Sequence, residues 1–380
     1  MKQLLKDIAT IGAGQGAPQG DENYCNKGIP FVKAGNLQEL LDGKDINNIQ
    51  QVSKEVAQKH KLKLYPKGTI LFAKSGMSCM KGFVYVLPQE AHVVSHLACI
   101  TPNDDVSEYL RFYFNFHRPN RLVKDTAYPS ISLSDIGNLE IDMKTEFERT
   151  TIIKQLRCIE SVISLRQQEL CQLDDLIKAR FVEMFGDPVS NSKGLKEMTL
   201  PELGEFGRGV SKHRPRNAPE LLGGRYPLIQ TGEVANASLY ICEYENTYSE
   251  LGLKQSKMWP TGTLCITIAA NIAKTSILTF DACFPDSVVG FKANERTNEV
   301  FVHYWFTFFQ AILEAQAPES AQKNINLKIL SELKVIAPEI NEQREFESFV
   351  HHIDKLKVKV QQSLDETQIL MDSLMQKYFG

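Results

Sequence analysis

FERTTIIKQLRCIESVISLRQQELCQLDDLIKARFVEMFG, residues 147–186, and NEQREFESFVHHIDKLKVKVQQSLDETQILMDSLMQKYFG, residues 341–380, share one register, and each closes in Phe-Gly. Glu148, Ile159, Gln167, Gln168, Leu170, Leu176, Phe185 and Gly186 recur as Glu342, Ile353, Gln361, Gln362, Leu364, Leu370, Phe379 and Gly380, an offset of 194. The same offset carries Pro66-Lys67-Gly68-Thr69 onto Pro260-Thr261-Gly262-Thr263, and Ile131, Leu133 and Leu139 onto Ile325, Leu327 and Leu333. The repeated unit is a whole domain plus a helix, too long for a solenoid module. Two copies in one chain form a pseudo-dimer with two similar surfaces, suited to a partner of matching symmetry such as a nucleic-acid duplex.

Within the first stretch Ile152, Leu156, Ile159, Ile163, Leu170, Leu173 and Ile177 follow a 4-3 alternation broken only at Arg166. This is a coiled-coil seam. Phe346, Val350, Ile353, Val360, Leu364, Met371 and Leu374 take the equivalent places in the second copy, with Lys357 and Thr367 as polar interruptions. Each rod of forty residues would run roughly 60 Å at about 1.5 Å per residue, more than one small globule can bury. Gly186-Asp187-Pro188 stops the first helix, and Asn191-Ser192-Lys193-Gly194 reads as a linker.

Between the rods each copy alternates short β-rich runs with turns: 29–32, 69–73, 83–87 and 98–101, then 228–230, 263–268 and 276–280. A helix is predicted over 106–116 and another over 299–315. Their aromatics (Tyr109, Phe112, Tyr113, Phe116; Phe301, Tyr304, Trp305, Phe308) recur at helical spacing and read as core.

A formal charge of −3 gives no global electrostatic case for nucleic acid, so any basic footprint is local. Eight cysteines without a CxxC pair imply neither a disulfide framework nor a zinc knuckle, which suits a reducing cytoplasm. No leader-like or membrane-length apolar run is present.

The residues offer little chemistry. Gly12-Ala13-Gly14-Gln15-Gly16 is followed by Ala17-Pro18-Gln19-Gly20-Asp21, loop chemistry rather than a helix opening. Gly12 and Gly14 persist as Gly207 and Gly209 while the third glycine becomes Ser211, so two glycines for a turn are expected and no cofactor loop. Phosphate-loop, HExxH, GxSxG and amino-methyltransferase motifs are absent. Asp286 with Glu332-Leu333-Lys334 only loosely resembles a nuclease pattern, and His351-His352 are helix neighbours that cannot clamp one metal together. Neither a catalytic residue nor a metal site is expected.

Cations cluster locally. Arg208-Gly209-Val210-Ser211-Lys212-His213-Arg214-Pro215-Arg216 lies in an acid-free stretch, 206–219, and Arg offers a bidentate fork to guanine and to phosphate. Lys67, Lys74 and Lys81 fall in another, 65–89, where Lys74-Ser75-Gly76-Met77-Ser78 interrupts a β pattern. Its counterpart, Ala269-Ala270-Asn271-Ile272-Ala273-Lys274, has a different polar inventory, as Tyr128-Pro129-Ser130 differs from Gln322-Lys323-Asn324. Scaffold residues repeat while loop residues diverge, the pattern expected if each copy reads a different short sequence; neutral drift of surface loops gives divergence too.

The arrangement resembles the specificity subunit of type I restriction-modification systems over nearly the whole chain. The resemblance is carried by Ile29-Pro30-Phe31-Val32-Lys33-Ala34-Gly35-Asn36, Pro66-Lys67-Gly68-Thr69-Ile70-Leu71, Ser95-His96-Leu97-Ala98 and above all the run from Leu173 to Pro188. It implies an α+β protein: target-recognition domains at 1–145 and 188–340, and helical spacers at 146–187 and 341–380 pairing as an antiparallel coiled coil. It further implies a non-catalytic, cytoplasmic subunit that reads a split sequence in double-stranded DNA, one half per domain. Two modification subunits and the restriction-translocase subunits are the implied partners, and they rather than this chain hold S-adenosylmethionine, ATP and Mg. The expected DNA contacts are Lys33, Asn36, Lys74, Ser75, Lys81, Tyr128 and Ser130 in the first copy. In the second they are Arg208, Lys212, His213, Arg214, Arg216, Asn271, Lys274, Lys323 and Asn324. Alternatives are a specificity subunit of a related DNA-modifying defence system, a self-sufficient methyltransferase or nuclease, and a coiled-coil protein without a DNA role.

Overall fold

The computed structural model describes the whole chain except residues 214, 270–271 and 317–324, and leaves out the side chains of 314–316. It divides into two compact units, one formed by Met1–Arg166 with Ser363–Gly380 and the other by Gln167–Gln362. Two forty-residue helices, α1 (Glu146–Phe185) and α2 (Ile340–Phe379), each contribute to both.

In the first unit Ala9–Ala13, Leu97–Pro102, Ile70–Ala73 and Tyr85–Val86 form an antiparallel sheet in that order. A second sheet runs Gln51–Val52, Ile29–Val32, Ala91–Val93, Leu64–Tyr65, and its central two strands are parallel. The second unit repeats both. Gly204–Arg208, Val288–Ala293, Leu264–Thr267 and Thr275–Leu278 match the first sheet, with Tyr240–Ile241 added at its edge. Asn246–Tyr248, Leu222–Leu228, Ala282–Cys283 and Met258–Trp259 match the second, again with a parallel central pair. The predicted runs at 29–32, 263–268 and 276–280 fall on strands; the run at 228–230 starts at the end of a strand instead and continues into a short helix, Thr231–Asn236.

The Pro-x-Gly-Thr repeat is a turn fixed by its backbone. Gly68 and Gly262 adopt positive φ (86° and 76°), which glycine alone enters without strain. Both donate to a backbone carbonyl, of Leu87 and Leu278, at 2.8 Å, and the fully buried Thr69 and Thr263 hydroxyls donate back to Pro66 and Pro260 (2.8 and 2.6 Å).

Gly12 and Gly14 sit in and just after a strand, contrary to the expected turn. The reason for Gly14 is close packing. A Cβ on Gly14 would lie 2.0 Å from the Val93 carbonyl oxygen, and one on Gly209 2.3 Å from that of Phe284. Gly12 lies under Tyr65 and Gly207 under Trp259. Gly14 and Gly209 therefore let the two sheets of each unit approach, whereas a Cβ on Gly12 or Gly207 would make only ordinary contacts and one on Gly16 none.

The seam positions face inward. Ile152, Leu156, Ile177, Phe346, Val350, Ile353 and Val360 are buried, and Ile159, Ile163, Leu170, Leu173, Leu364, Met371 and Leu374 are half-buried among exposed neighbours. The helices run antiparallel. In the second unit Arg180 donates to Glu345 at 2.9 Å, Phe181 packs on Phe346 with ring centres 5.3 Å apart, and Lys357 meets Asp174 at 2.6 Å. In the first unit Tyr378, near the end of α2, bonds to Gln155 near the start of α1. Lys357, a polar break in the seam, is thus accommodated by a carboxylate across the pair rather than by an aliphatic stem.

The repeated Phe-Gly ends dock each rod on an aromatic helix. Phe379 lies 5.2 Å from Tyr109 on Ser107–Phe116, while His117 Nε2 is 2.8 Å from the Phe379 carbonyl. Phe185 lies 5.1 Å from Phe301 on Glu299–Gln316. Residues 191–194 are a cap rather than a slack linker: Lys193 Nζ donates to the Glu183 and Met184 carbonyls at 2.7 and 2.9 Å, filling the acceptors a helix end leaves open.

Candidate nucleic-acid interface

In each unit two parallel strands deliver their C-terminal continuations to one place. In the first, Ile29–Val32 leads to Lys33 and Ala91–Val93 leads to Ser95 and His96. The Asn36 carboxamide oxygen accepts from the Lys33 N–H (2.9 Å), so Asn36 shapes this turn, while Lys33 Nζ reaches Gln50 Oε1 at 2.6 Å and lies 4.5 Å over the Tyr24 ring. Ser75 Oγ is 2.7 Å from His96 Nδ1, and the Lys74 N–H donates to the His96 carbonyl. Ser75 bridges to Ser130, beside which Tyr128 is 83% exposed. Lys33, Lys74, Ser75, Tyr128 and Ser130 therefore surround one end of this unit's sheets. Lys81 is exposed at the far end of the turn Met77–Lys81, over Phe83.

In the second unit Leu222–Leu228 leads to Gln230, and Ala282–Cys283 leads to Asp286 and Ser287. The Gln230 N–H donates to Glu233 at 3.2 Å, as Lys33 does to Asn36. Arg208 is exposed at the end of its strand. Gln255 Oε1 accepts from the Lys212 and His213 N–H groups (2.6 and 3.0 Å), pinning the basic loop. Arg216 is ion-paired with Asp286. The stretch that is acid-free in sequence thus meets an acid in space, and the local positive charge is smaller than counting predicts. Asp286 is engaged there and Glu332 faces Lys328 at 3.8 Å. Lys274 lies elsewhere, lining a cavity of about 250 Å³ with Asp174, Lys178 and Lys357 on the helical side of this unit. Arg214, Asn271, Lys323 and Asn324 fall outside the described residues.

Sequence reading in the fixed register missed several side chains at these places. Pro30-Phe31-Val32-Lys33-Ala34-Gly35-Asn36 corresponds to Pro227-Leu228-Ile229-Gln230-Thr231-Gly232-Glu233, an offset of 197 rather than 194. Strand pairing confirms it, since Pro30 faces Gln51 and Pro227 faces Thr247, which makes Gln50 the counterpart of Asn246 in the repeat. Likewise His96 matches Ser287, because they supply the carbonyls that accept from the Lys74 and Ile268 N–H groups. The shared Pro and Gly were the available signal.

The type I restriction modification DNA specificity domain matches this chain twice, over residues 2–169 and 192–367. The chain belongs to that family. Two curated relatives come from Methanocaldococcus jannaschii. The type I restriction enzyme MjaIX specificity subunit is 30% identical over 141 residues, spanning 35% of this chain and 31% of the relative. A protein provisionally named type I restriction enzyme MjaX specificity subunit is 21% identical across 93% of this chain and 86% of its own length. Among solved structures, the type I restriction-modification S subunit from M. genitalium is similar in fold (TM-score 0.55, 14% identity, 100% of this chain and 96% of that one). A chain from a study of complex assembly and conformational transition in the type I R-M system is also similar (TM-score 0.62, 16% identity, 100% and 97%). Each match covers one copy of the repeat and most of its long helix. Among the described residues no group of three or more His, Cys, Asp or Glu could hold a metal, and no helix is long and apolar enough to cross a membrane.

Proposed function

We propose that this chain is the DNA-reading subunit of a cytoplasmic type I restriction-modification assembly. Each unit reads one half of a split target, and α1 and α2 set the spacing between the halves. The chain itself supplies recognition, while modification subunits carrying S-adenosylmethionine and ATP- and Mg-dependent restriction subunits supply the chemistry. The observation that carries this reading is a scaffold repeated down to single hydrogen bonds, with polar side chains that differ between copies at the same end of the sheets. Lys and Arg contacts to phosphate would fix position, and the side chains that differ would read base edges.

Spacing is the decisive test. Seven residues inserted at matching points of α1 and α2 keep the 4-3 seam in phase and add about 10.5 Å. The preferred spacer is expected to grow by about three base pairs, at roughly 3.4 Å each, with both half-sequences retained. Methylation of duplexes with graded spacers measures this, and an unchanged preference rejects the ruler.

Support for anchoring two like partners comes from apolar residues left exposed on the rods at repeat-related positions. Val162 and Leu356 are each 37% exposed, and Leu176 and Leu370 are 46% and 50% exposed. Exposed apolar residues kept in both copies suit one partner type bound twice. The double variant Leu176→Lys, Leu370→Lys is expected to weaken association with the modification subunit at least tenfold, because it puts a charge into an apolar contact. Co-purification and titration check this, and full-strength assembly would exclude the surface.

A further inference from the structure

The two copies place different chemistry at equivalent points, and in the second unit those points converge. A cavity of about 290 Å³ there is lined by Gln230, Asn246, Asn217, Arg216 and Ser287, with buried Tyr248 at its wall. Gln230 is exposed and Asn246 half-exposed, so both amides are within reach of a ligand. In the first unit the same points hold Lys33, Gln50 and His96, all exposed or half-exposed. The pairs Lys33/Gln230, Gln50/Asn246 and His96/Ser287 are thus matched in backbone and mismatched in donor and acceptor pattern.

We infer that Gln230 and Asn246 read an adenine in the half-site of the second unit, and that Lys33 reads a guanine in the half-site of the first; this rests on the DNA-reading function proposed above. The chemistry assigns the bases. A carboxamide sets an amino donor beside a carbonyl acceptor, complementary to N7 and the N6 amino group of adenine, whereas an ammonium offers donors only and suits the O6 and N7 acceptors of guanine. Gln50 accepts from Lys33 and so orients the ammonium. Arg216, tied to Asp286, is held at the cavity rim, where it suits phosphate better than a base edge.

The experiment selects duplexes from a random library with the full chain assembled with its modification subunit, comparing wild type, Gln230→Lys and Lys33→Gln. Gln230→Lys is expected to turn one A·T position of one half-site into G·C, and Lys33→Gln to cost on the order of tenfold in preference for one G·C position of the other half. Asn246→Ala, at a half-exposed site, gives a second measure, loss of preference at or beside the position that Gln230→Lys alters. Unchanged motifs in all three variants, or the same change in both halves, overturn the assignment while leaving the proposed function standing. A wild-type assembly that selects no split sequence rejects both.

Discussion

Replacing Phe181 by alanine is expected to destabilise the unit formed by Gln167–Gln362 by about 3–5 kcal/mol, the usual cost of removing a buried phenyl ring. Phe181 is fully buried and packs on Phe185, Phe301, Phe308 and Phe346, with ring centres 5.0 to 5.3 Å apart. Those rings come from α1, from Glu299–Gln316 and from α2, so one deletion loosens three elements at once. Close-packed cores relax only partly around such a void. The measurement is direct because the chain's two tryptophans, Trp259 and Trp305, both lie in this unit and are buried. In denaturant, the fluorescence transition is expected to move to lower concentration while the part of the far-ultraviolet dichroism change owed to the first unit stays in place. A shift of less than about 1 kcal/mol would show that the aromatic cluster is not what holds the rods to this unit.

The parts of the fold that could be read from sequence are those the duplication preserved by backbone necessity. Pro66–Thr69 and Pro260–Thr263 repeat because the turn needs a positive-φ glycine and a threonine that bonds back to proline. Phe185-Gly186 and Phe379-Gly380 repeat because each ends a rod on an aromatic helix. Gly12-Ala13-Gly14 was misleading for a physical reason: Gly14 answers to the Val93 carbonyl about eighty residues away, which no local pattern records. The site was less legible. Leu222–Leu228 carries an irregularity between Leu222 and Tyr226, and the offset changes from 195 at Gly12 and Gly207 to 197 at Lys33 and Gln230 and then to 194 at Pro66 and Pro260, so an alignment in fixed register pairs the wrong side chains. Arg216 meets Asp286 seventy positions later, which leaves an acid-free run less positive in space than it is in sequence. Backbone demands leave signatures in residue type, whereas side-chain encounters across a fold leave none.

Acidification is expected to weaken the second unit specifically, through His303. Its imidazole is buried, with Nδ1 2.9 Å from the Thr275 hydroxyl, and burial holds its pKa down at about 4 against an ordinary 6.5. Between pH 6.5 and 4 the unfolded chain binds a proton that the folded unit refuses, so stability is lost as pH falls through that window. At 1.36 kcal/mol per unit the loss approaches about 3 kcal/mol. Asp354 works in the opposite sense. Burial raises its carboxyl pKa, against the opposing charges of Lys357 and His351, so the folded unit retains a proton above the pH at which the unfolded chain releases it. The two slopes partly cancel in the native protein, and comparison with His303→Gln separates them, since the variant lacks the titrating ring and retains Asp354. Tryptophan-detected unfolding midpoints from pH 7 to 4 are expected to fall more steeply for the native chain than for His303→Gln. Parallel curves would mean that the imidazole is protonated inside the fold, and that the Thr275 hydroxyl accepts a hydrogen bond from it rather than donating one.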